Sequence, residues 1–190
     1  MVNLTRIYTR TGDDGTTALG DMSRTTKTDP RLLAYADANE ANAALGVAIA
    51  AGGLASDVVA VLTRVQNDLF DVGADLATPV VEDPKYPPLR VLQSYIDRLE
   101  ADCDHYLEPL EKLRSFILPG GTAGAAYLHL ACTVVRRAER STWAAIEVHG
   151  ESVNPLTAKY LNRLSDLLFI LARSANAERG DVLWVPGENR

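Results

Sequence analysis

The sequence predicts an all-α fold: a five-helix bundle with an extended N-terminal arm. Three observations carry that prediction. Apolar residues recur at alternating steps of three and four over long segments. Pro- and Gly-containing breaks separate those segments by short intervals, as in antiparallel bundles. No strand pattern alternates with them, and neither G-x-x-x-x-G-K-[ST] nor G-x-G-x-x-G occurs, so a nucleotide-binding parallel sheet is not expected.

Residues 1–28 are polar, rich in Thr and Gly, and lack a helical period, which reads as an extended or looped arm. Asp29-Pro30 resembles an N-cap followed by Pro at the first helical position. Ala34, Ala38, Ala41, Leu45 and Ala48 then form the first stripe, ended by Gly52-Gly53. Val58, Leu62, Val65, Leu69, Val72 and Leu76 form the second, up to Thr78-Pro79. After a Pro-rich loop over 79–88, Leu92, Ile96, Leu99, Cys103, Tyr106 and Leu110 form the third. Phe116-Ile-Leu-Pro-Gly-Gly breaks the pattern before a fourth helix over about 122–149. The fifth starts near Asn154-Pro155, carries Leu161, Leu164, Leu168, Leu171 and Ala175, and fades at Arg179-Gly180. These stripes read as core packing.

At 190 residues, 47% hydrophobic and 23% charged, the chain reads as a single domain over 1–190. Its parts are an arm (1–28), a helical bundle (29–180) and a C-terminal tail (181–190), and a chain of this size needs no disulfide or zinc staple. Cys103 and Cys132 lack metal-ligand spacing. No segment is apolar enough to span a bilayer and no secretory leader is visible, so a cytoplasmic protein without a membrane partner is expected. The net charge of −6 weighs against nucleic acid as a partner. That charge is uneven. Residues 1–28 sum to +1 and residues 114–140 to +3, leaving −10 elsewhere. The total does not exclude a small anionic ligand, which sees local charge, and the two cationic islands are where such a ligand would be sought.

The first island contains Thr9-Arg10-Thr11-Gly12-Asp13-Asp14-Gly15-Thr16-Thr17, with Arg24 and Lys27 behind it. Its glycines permit close backbone approach, and its hydroxyls, N–H groups and Lys27 suit phosphate oxygens. An ordinary Asp-Gly turn in a flexible arm is the competing explanation. The second island, Arg136-Arg137-Ala138-Glu139-Arg140, places Arg136 and Arg140 at i and i+4 on one helix face with Glu139 beside them. A solvated salt-bridged face explains it equally well. Asn162, Asp166, Phe169, Arg173 and Asn176 form a second stripe on the last helix, expected to be a pocket wall or an interface rather than a solvent face. Phe116 is either a hydrophobic staple ahead of the fourth helix or an apolar element of a site. Asp102-x-x-His105 resembles half of a di-iron motif, but only one copy is present, so a solvated face is expected.

Together these motifs resemble the PduO-type ATP:cob(I)alamin adenosyltransferases. The arm matches T-[KR]-T-G-D-x-G with a downstream R-x-x-K, at Thr9–Gly15 and Arg24/Lys27. F-[IV]-L-P-G-G stands at 116–121, R-R-A-E-R at 136–140, and Y-L-N-R-L-S-D-x-L-F at 160–169. The resemblance implies a homotrimer of five-helix bundles with active sites between subunits. It implies ATP contacts at Thr9, Arg10, Thr11, Gly12, Thr17, Ala18, Lys27, Arg136, Arg137, Glu139, Arg140 and Asn162. Cobalamin would lie near Phe116 and Phe169, and Mg2+ would be carried by the triphosphate rather than by an identified protein ligand. Arg136, Lys27 and Phe116 would act in catalysis. The implied reaction is attack of Co(I) on C5′ of ATP with loss of triphosphate, after Phe116 has helped to exclude the lower ligand of cobalt. A client adenosylcobalamin-dependent mutase and a flavoprotein reductant are the implied partners.

The chain departs from the family at a coupled pair. Asn39 stands where relatives carry Asp, and Cys132 where they often carry Arg; in relatives these form a salt bridge between subunits. With both partners replaced, no lone charge is left buried, and an effect on cofactor retention or subunit coupling is expected more than one on catalysis. Two other readings remain open from sequence: a carrier that binds corrinoid and hands it on without turnover, and a plain helical oligomer with a disordered arm.

Overall fold

A computed structural model describes residues 8–84 and 86–188. Among the described residues there are five α-helices: α1 (Pro30–Ala51), α2 (Ser56–Leu76), α3 (Gln93–Leu107), α4 (Ala123–His149) and α5 (Pro155–Ala175). Side-chain caps start three of them. Asp29 accepts from the Arg31 N–H, Thr122 from that of Ala125, and Asn154 from that of Leu156. Proline occupies the first turn of both α1 and α5, where its missing N–H costs nothing. A single 3₁₀ turn, Gly150–Ser152, joins α4 to α5.

The arm is more ordered than its sequence suggests. Strands β1 (Thr16–Ala18) and β2 (Arg24–Thr26) form an antiparallel hairpin in the register Thr16–Thr26, Thr17–Thr25 and Ala18–Arg24. Strands of three residues are too short to leave a readable alternation. Side chains hold the turns instead: Asp14 accepts from the Thr16 N–H at 3.0 Å, and Asp21 from that of Ser23 at 3.0 Å. The hairpin docks through the Gly20 N–H on the Ala77 carbonyl, 2.7 Å.

Helix α4 packs between α1 and α5, while α2 lies against α1 and α3 against α5. The alanine stripe of α1 is fully buried, and small side chains let helices approach closely. Where the end of α1 meets the start of α4, a Cβ on Gly124 would stand 2.8 Å from the Gly52 carbonyl oxygen, so that crossing admits only glycine. Helix α5 is the central element. Besides its expected row, Tyr160 and Leu167 are fully buried. Among the described residues, no helix is long and apolar enough to cross a membrane.

One end of the bundle is closed by a buried polar network. Asp75, 1% exposed, accepts from Arg90 Nη1 (2.6 Å), the Val91 N–H (2.7 Å) and Asn154 Nδ2 (2.7 Å). Arg90 also donates to the carbonyls of Thr78 and Pro79, which ties the Pro-rich loop to the bundle. Arg31 of α1 reaches the Leu76 and Ser152 carbonyls at 2.9 and 3.1 Å. Removing the carboxylate strands a half-buried guanidinium and a buried N–H. Asp75→Ala is therefore expected to destabilise the protein by about 3–5 kcal/mol, read as a lowered urea midpoint. An unchanged midpoint would show that the network contributes no stability.

Candidate functional site

The sequence-derived site residues fall into three groups in the folded chain. The first is the arm. Thr9 Oγ1 and Thr11 Oγ1 are 2.9 Å apart, and Arg24 donates to the Thr11 carbonyl at 2.9 Å and to the Thr16 hydroxyl. The Lys27 ammonium lies over Gly12, 3.1 Å from where a Cβ would be, so Gly12 makes room for it. Thr17 and Ala18 lie on β1. Arg10 adopts a left-handed φ of 63°, rare for a residue with a side chain and the kind of backbone strain that accompanies ligand loops. The motif therefore folds into a defined loop-and-hairpin rather than a loose turn.

The second group is on α4 and α5. Arg136 and Arg140 are exposed on one face, with Arg140 Nη1 donating to the Arg136 carbonyl at 3.2 Å. Arg137 lies one residue round the helix, about 100° away, and pairs with Glu40 and Asp37 of α1. Glu139 Oε1 accepts from Asn162 Nδ2 (3.2 Å) and from Trp143 Nε1 (3.3 Å), which joins α4 to α5. These three residues border a cavity of about 420 Å³, whose other walls include Ile96, Lys159 and Arg163. Among the described residues, no acid lies within ion-pair distance of Lys27, Arg136 or Arg140.

The third group is aromatic. Phe116 is 77% exposed and meets Trp184 edge-to-face at 6.0 Å, so it is not a staple buried against α4. The tail holds this segment by backbone pairing: Leu118 N–H to the Val182 carbonyl and Trp184 N–H to that of Phe116, both 2.8 Å. A cavity of about 840 Å³ opens beside it, between Pro109–Arg114, the end of α5 and the tail. Phe169 is half-buried and packs edge-to-face on His129 at 5.9 Å, not on Phe116. The sequence reading missed Trp143, Trp184 and His129. Trp143 lies one heptad past Arg136, which was a usable signal; nothing local marks Trp184 as a partner of Phe116.

The polar stripe of α5 lies along two cavities: Asn162 borders the 420 Å³ cavity, and Arg173 and Asn176, 7% and 3% exposed, border the 840 Å³ cavity while also supporting local structure. Arg173 donates to Asp181 (2.9 Å) and to the Glu111 carbonyl (2.7 Å). Asn176 accepts from the Thr122 N–H and donates to the Gly120 carbonyl, both 2.9 Å. A Cβ at Gly121 would collide with it at 2.2 Å, which explains the glycines before α4. Of the coupled pair, Cys132 is buried with its thiol on the Ser165 carbonyl (3.2 Å), whereas Asn39 faces Gly73 of α2. Asp102 pairs with Arg64, and His105 stacks edge-on against Tyr106.

The sequence model of the cobalamin adenosyltransferase family matches residues 7–175. The chain belongs to that family. It is 66% identical to a corrinoid adenosyltransferase of Mycobacterium tuberculosis, over all of this chain and 97% of the relative. A corrinoid adenosyltransferase of Bacillus subtilis is 39% identical, over 92% of this chain and 89% of the relative. Among solved structures, a variant PduO-type ATP:corrinoid adenosyltransferase from Lactobacillus reuteri, complexed with cobalamin and ATP, superposes with a TM-score of 0.87. It is 34% identical, and the match covers 95% of this chain and 97% of that one.

Within this adenosyltransferase fold, His129 is a buried imidazole whose Nε2 has no hydrogen-bond partner among the described residues. Burial pushes its pKa below the ordinary value, and Asp181 opposes that only in part. As pH falls through about 6.5, the unfolded chain takes up the proton before the folded one, so stability drops. The urea midpoint should fall between pH 7.5 and 5.5, and His129→Gln should fall less. An equal fall in both proteins would assign the acid sensitivity to other groups.

Proposed function

We propose that this chain transfers the 5′-deoxyadenosyl group of ATP to cob(I)alamin, releasing triphosphate, at sites shared between subunits of a homotrimer. One observation carries the shared-site reading: within a chain, the two cationic groups do not meet. Asp29, two residues beyond Lys27, bonds His149 at 2.8 Å. His149 lies thirteen residues past Arg136, about 20 Å along α4. The arm's described contacts are with the α1, α2 and α4 ends of its own bundle, so one triphosphate reaches both groups when the arm and the α4 face come from neighbouring subunits. Exposed Leu130 on α4, with Ala43 and Val47 on α1, supplies apolar surface for such assembly. The Lactobacillus reuteri relative holding cobalamin and ATP supports the choice of substrates.

The residue types suit the reaction. Cob(I)alamin is itself the nucleophile at C5′, and the C5′–O bond breaks with its electron pair leaving on triphosphate. The protein needs to supply position and stabilisation of the departing charge. Lys27, Arg136 and Arg140, free of acid partners, can direct their full charge at it. Among the described residues, no group of three His, Cys, Asp or Glu side chains is placed to hold a metal ion. Mg2+, on the resemblance, would be carried on the phosphate oxygens, where it would neutralise triphosphate charge. Exposed Phe116, backed by Trp184, is an apolar wedge that keeps a lower ligand and water away from cobalt. An adenosylcobalamin-dependent mutase as recipient and a flavoprotein as reductant complete the reading on resemblance alone.

Arg136→Ala and Lys27→Ala should each lower turnover at least tenfold, about 1.4 kcal/mol in the barrier. Refolding the two inactive proteins together should restore about a quarter of wild-type activity, because random assembly gives that fraction of sites an intact arm and an intact α4. No recovery would place both residues in one subunit's site. Phe116→Ala should still bind ATP but lose the four-coordinate Co(II) spectrum seen with ATP in the parent; an unchanged spectrum would remove Phe116 from that role.

A further inference from the structure

We propose that His149, the last residue of α4, is a positioning residue for the arm, acting through Asp29 and Thr25. The inference rests on the nucleotide reading above and adds the residues that hold the arm in place. Asp29 stands where three elements meet. Its Oδ1 caps α1 by accepting from the Arg31 N–H at 2.8 Å, and the same oxygen accepts from His149 Nε2 at 2.8 Å. Its Oδ2 accepts from the Thr25 hydroxyl of β2, also at 2.8 Å. A carboxylate only accepts, so Nε2 is the donor. One carboxylate thus ties the hairpin to the start of α1 and the end of α4.

A helix cap needs only the bond to Arg31. The other two bonds fix the chain from 25 to 29, and Lys27 lies inside that stretch. Thr25 is paired with Thr17 across the hairpin, and the Lys27 N–H donates to the Gly15 carbonyl at 2.9 Å. Holding Asp29 therefore holds the arm's cation and its glycine loop together. The anchor is itself secured. The His149 carbonyl accepts from the Ser152 hydroxyl at 3.0 Å, and that hydroxyl accepts from Arg31 at 2.7 Å. The imidazole side chain is 25% exposed, which limits competition from water for its bond. The hairpin turn docks separately, on the Ala77 carbonyl, so the hairpin is held at both ends and cannot pivot about either. An arm that leaves its place binds ATP only for the fraction of time it is seated, and apparent affinity falls by that fraction. Once ATP is bound the arm is seated, and the step at C5′ is unchanged. Loss of His149 thus acts on ATP affinity and not on kcat.

The test measures Kd for ATP by equilibrium dialysis, KM for ATP and kcat by turnover, and the urea midpoint, in His149→Ala, His149→Asn and His149→Gln. The amide nitrogen of Gln reaches the place of Nε2 and can donate there; that of Asn is one bond too short. Ala and Asn should raise Kd and KM for ATP at least about fivefold and leave kcat within about twofold. Gln should keep both within about twofold of the parent. Thr25→Val, which removes the other donor to Asp29, should also raise KM. Combined with His149→Ala, it should add less than its separate effect, because both act through one carboxylate. Parental ATP affinity in His149→Ala would overturn the inference, whether or not its urea midpoint falls. So would a loss of kcat at unchanged KM, a Gln variant as impaired as Ala, or fully additive effects with Thr25→Val. Failure of the parent protein to bind ATP would overturn the nucleotide reading itself, and this inference with it.

Discussion

Helix α4 must be core on two sides and chemistry on the third, and the remaining architecture follows from that constraint. Its 27 residues are squeezed between α1 and α5. Alanines on α1 and the glycine contact between Gly52 and Gly124 allow the close approach that leaves only a narrow outward strip. That strip reads Ala126, Leu130, Thr133, Arg136, Arg140 and Trp143. Because the helix is packed on both sides, Arg136 and Arg140 project from a supported stretch of backbone. In the proposed reaction such preorganisation is where a charged site gains most over water. The polar closure around Asp75 and the docked hairpin fix the other participant, the arm, to the opposite end of the same bundle.

The helices were legible because burial imposes a period. Every α1 and α2 stripe residue is buried, and those two helices end just before Gly52-Gly53 and Thr78-Pro79, whereas α5 ends at Ala175, short of the expected Arg179-Gly180. What lacked a period could not be read. The hairpin in the arm is three residues deep, and the pairing of Ile117 with Leu183 spans most of the last two helices, so neither leaves a local mark. Among site residues, the motif R-R-A-E-R was visible as a unit, yet its five members do different work. Arg136 and Arg140 face outward, Arg137 faces α1, and Glu139 faces α5. Sequence spacing assigns faces; only the packed neighbours say which face is already occupied. Arg173 and Asn176 do two jobs at once. A polar stripe on a core helix suggested a wall, and those two side chains border the 840 Å³ cavity while also holding the Glu111 carbonyl, Asp181 and the backbone ahead of α4.

Charge in this protein sorts into two classes. Cations with structural work are satisfied: Arg90 by Asp75, Arg163 by Glu100 and Asp166, Arg173 by Asp181. Lys27, Arg136 and Arg140 are left accessible in a chain whose net charge is −6. With 25 acidic residues available, ion pairs for those three would be easy to supply. A guanidinium already paired to a carboxylate has spent much of its field, so an anion-binding site needs cations that the fold has declined to neutralise. In the proposed reading, the acidic exterior and the open cations are two parts of one arrangement: the first would repel polyanions in general, and the second would attract one at a defined place.

The fate of the thiols completes the physical case. Burial pushes Cys103 up to about 11 and raises Cys132 as well, so both stay protonated near neutral pH and neither is a competent nucleophile. Among the described residues, the one buried imidazole, His129, packs edge-on against Phe169. In the proposed reaction that is an advantage. Reduced cobalt is a far stronger nucleophile than any side chain, and a reactive thiolate or imidazole near C5′ would compete for the same carbon. A site that keeps its own nucleophiles buried or protonated, and presents only fixed positive charge and aromatic surface, leaves the electrophile to the one partner meant to attack it.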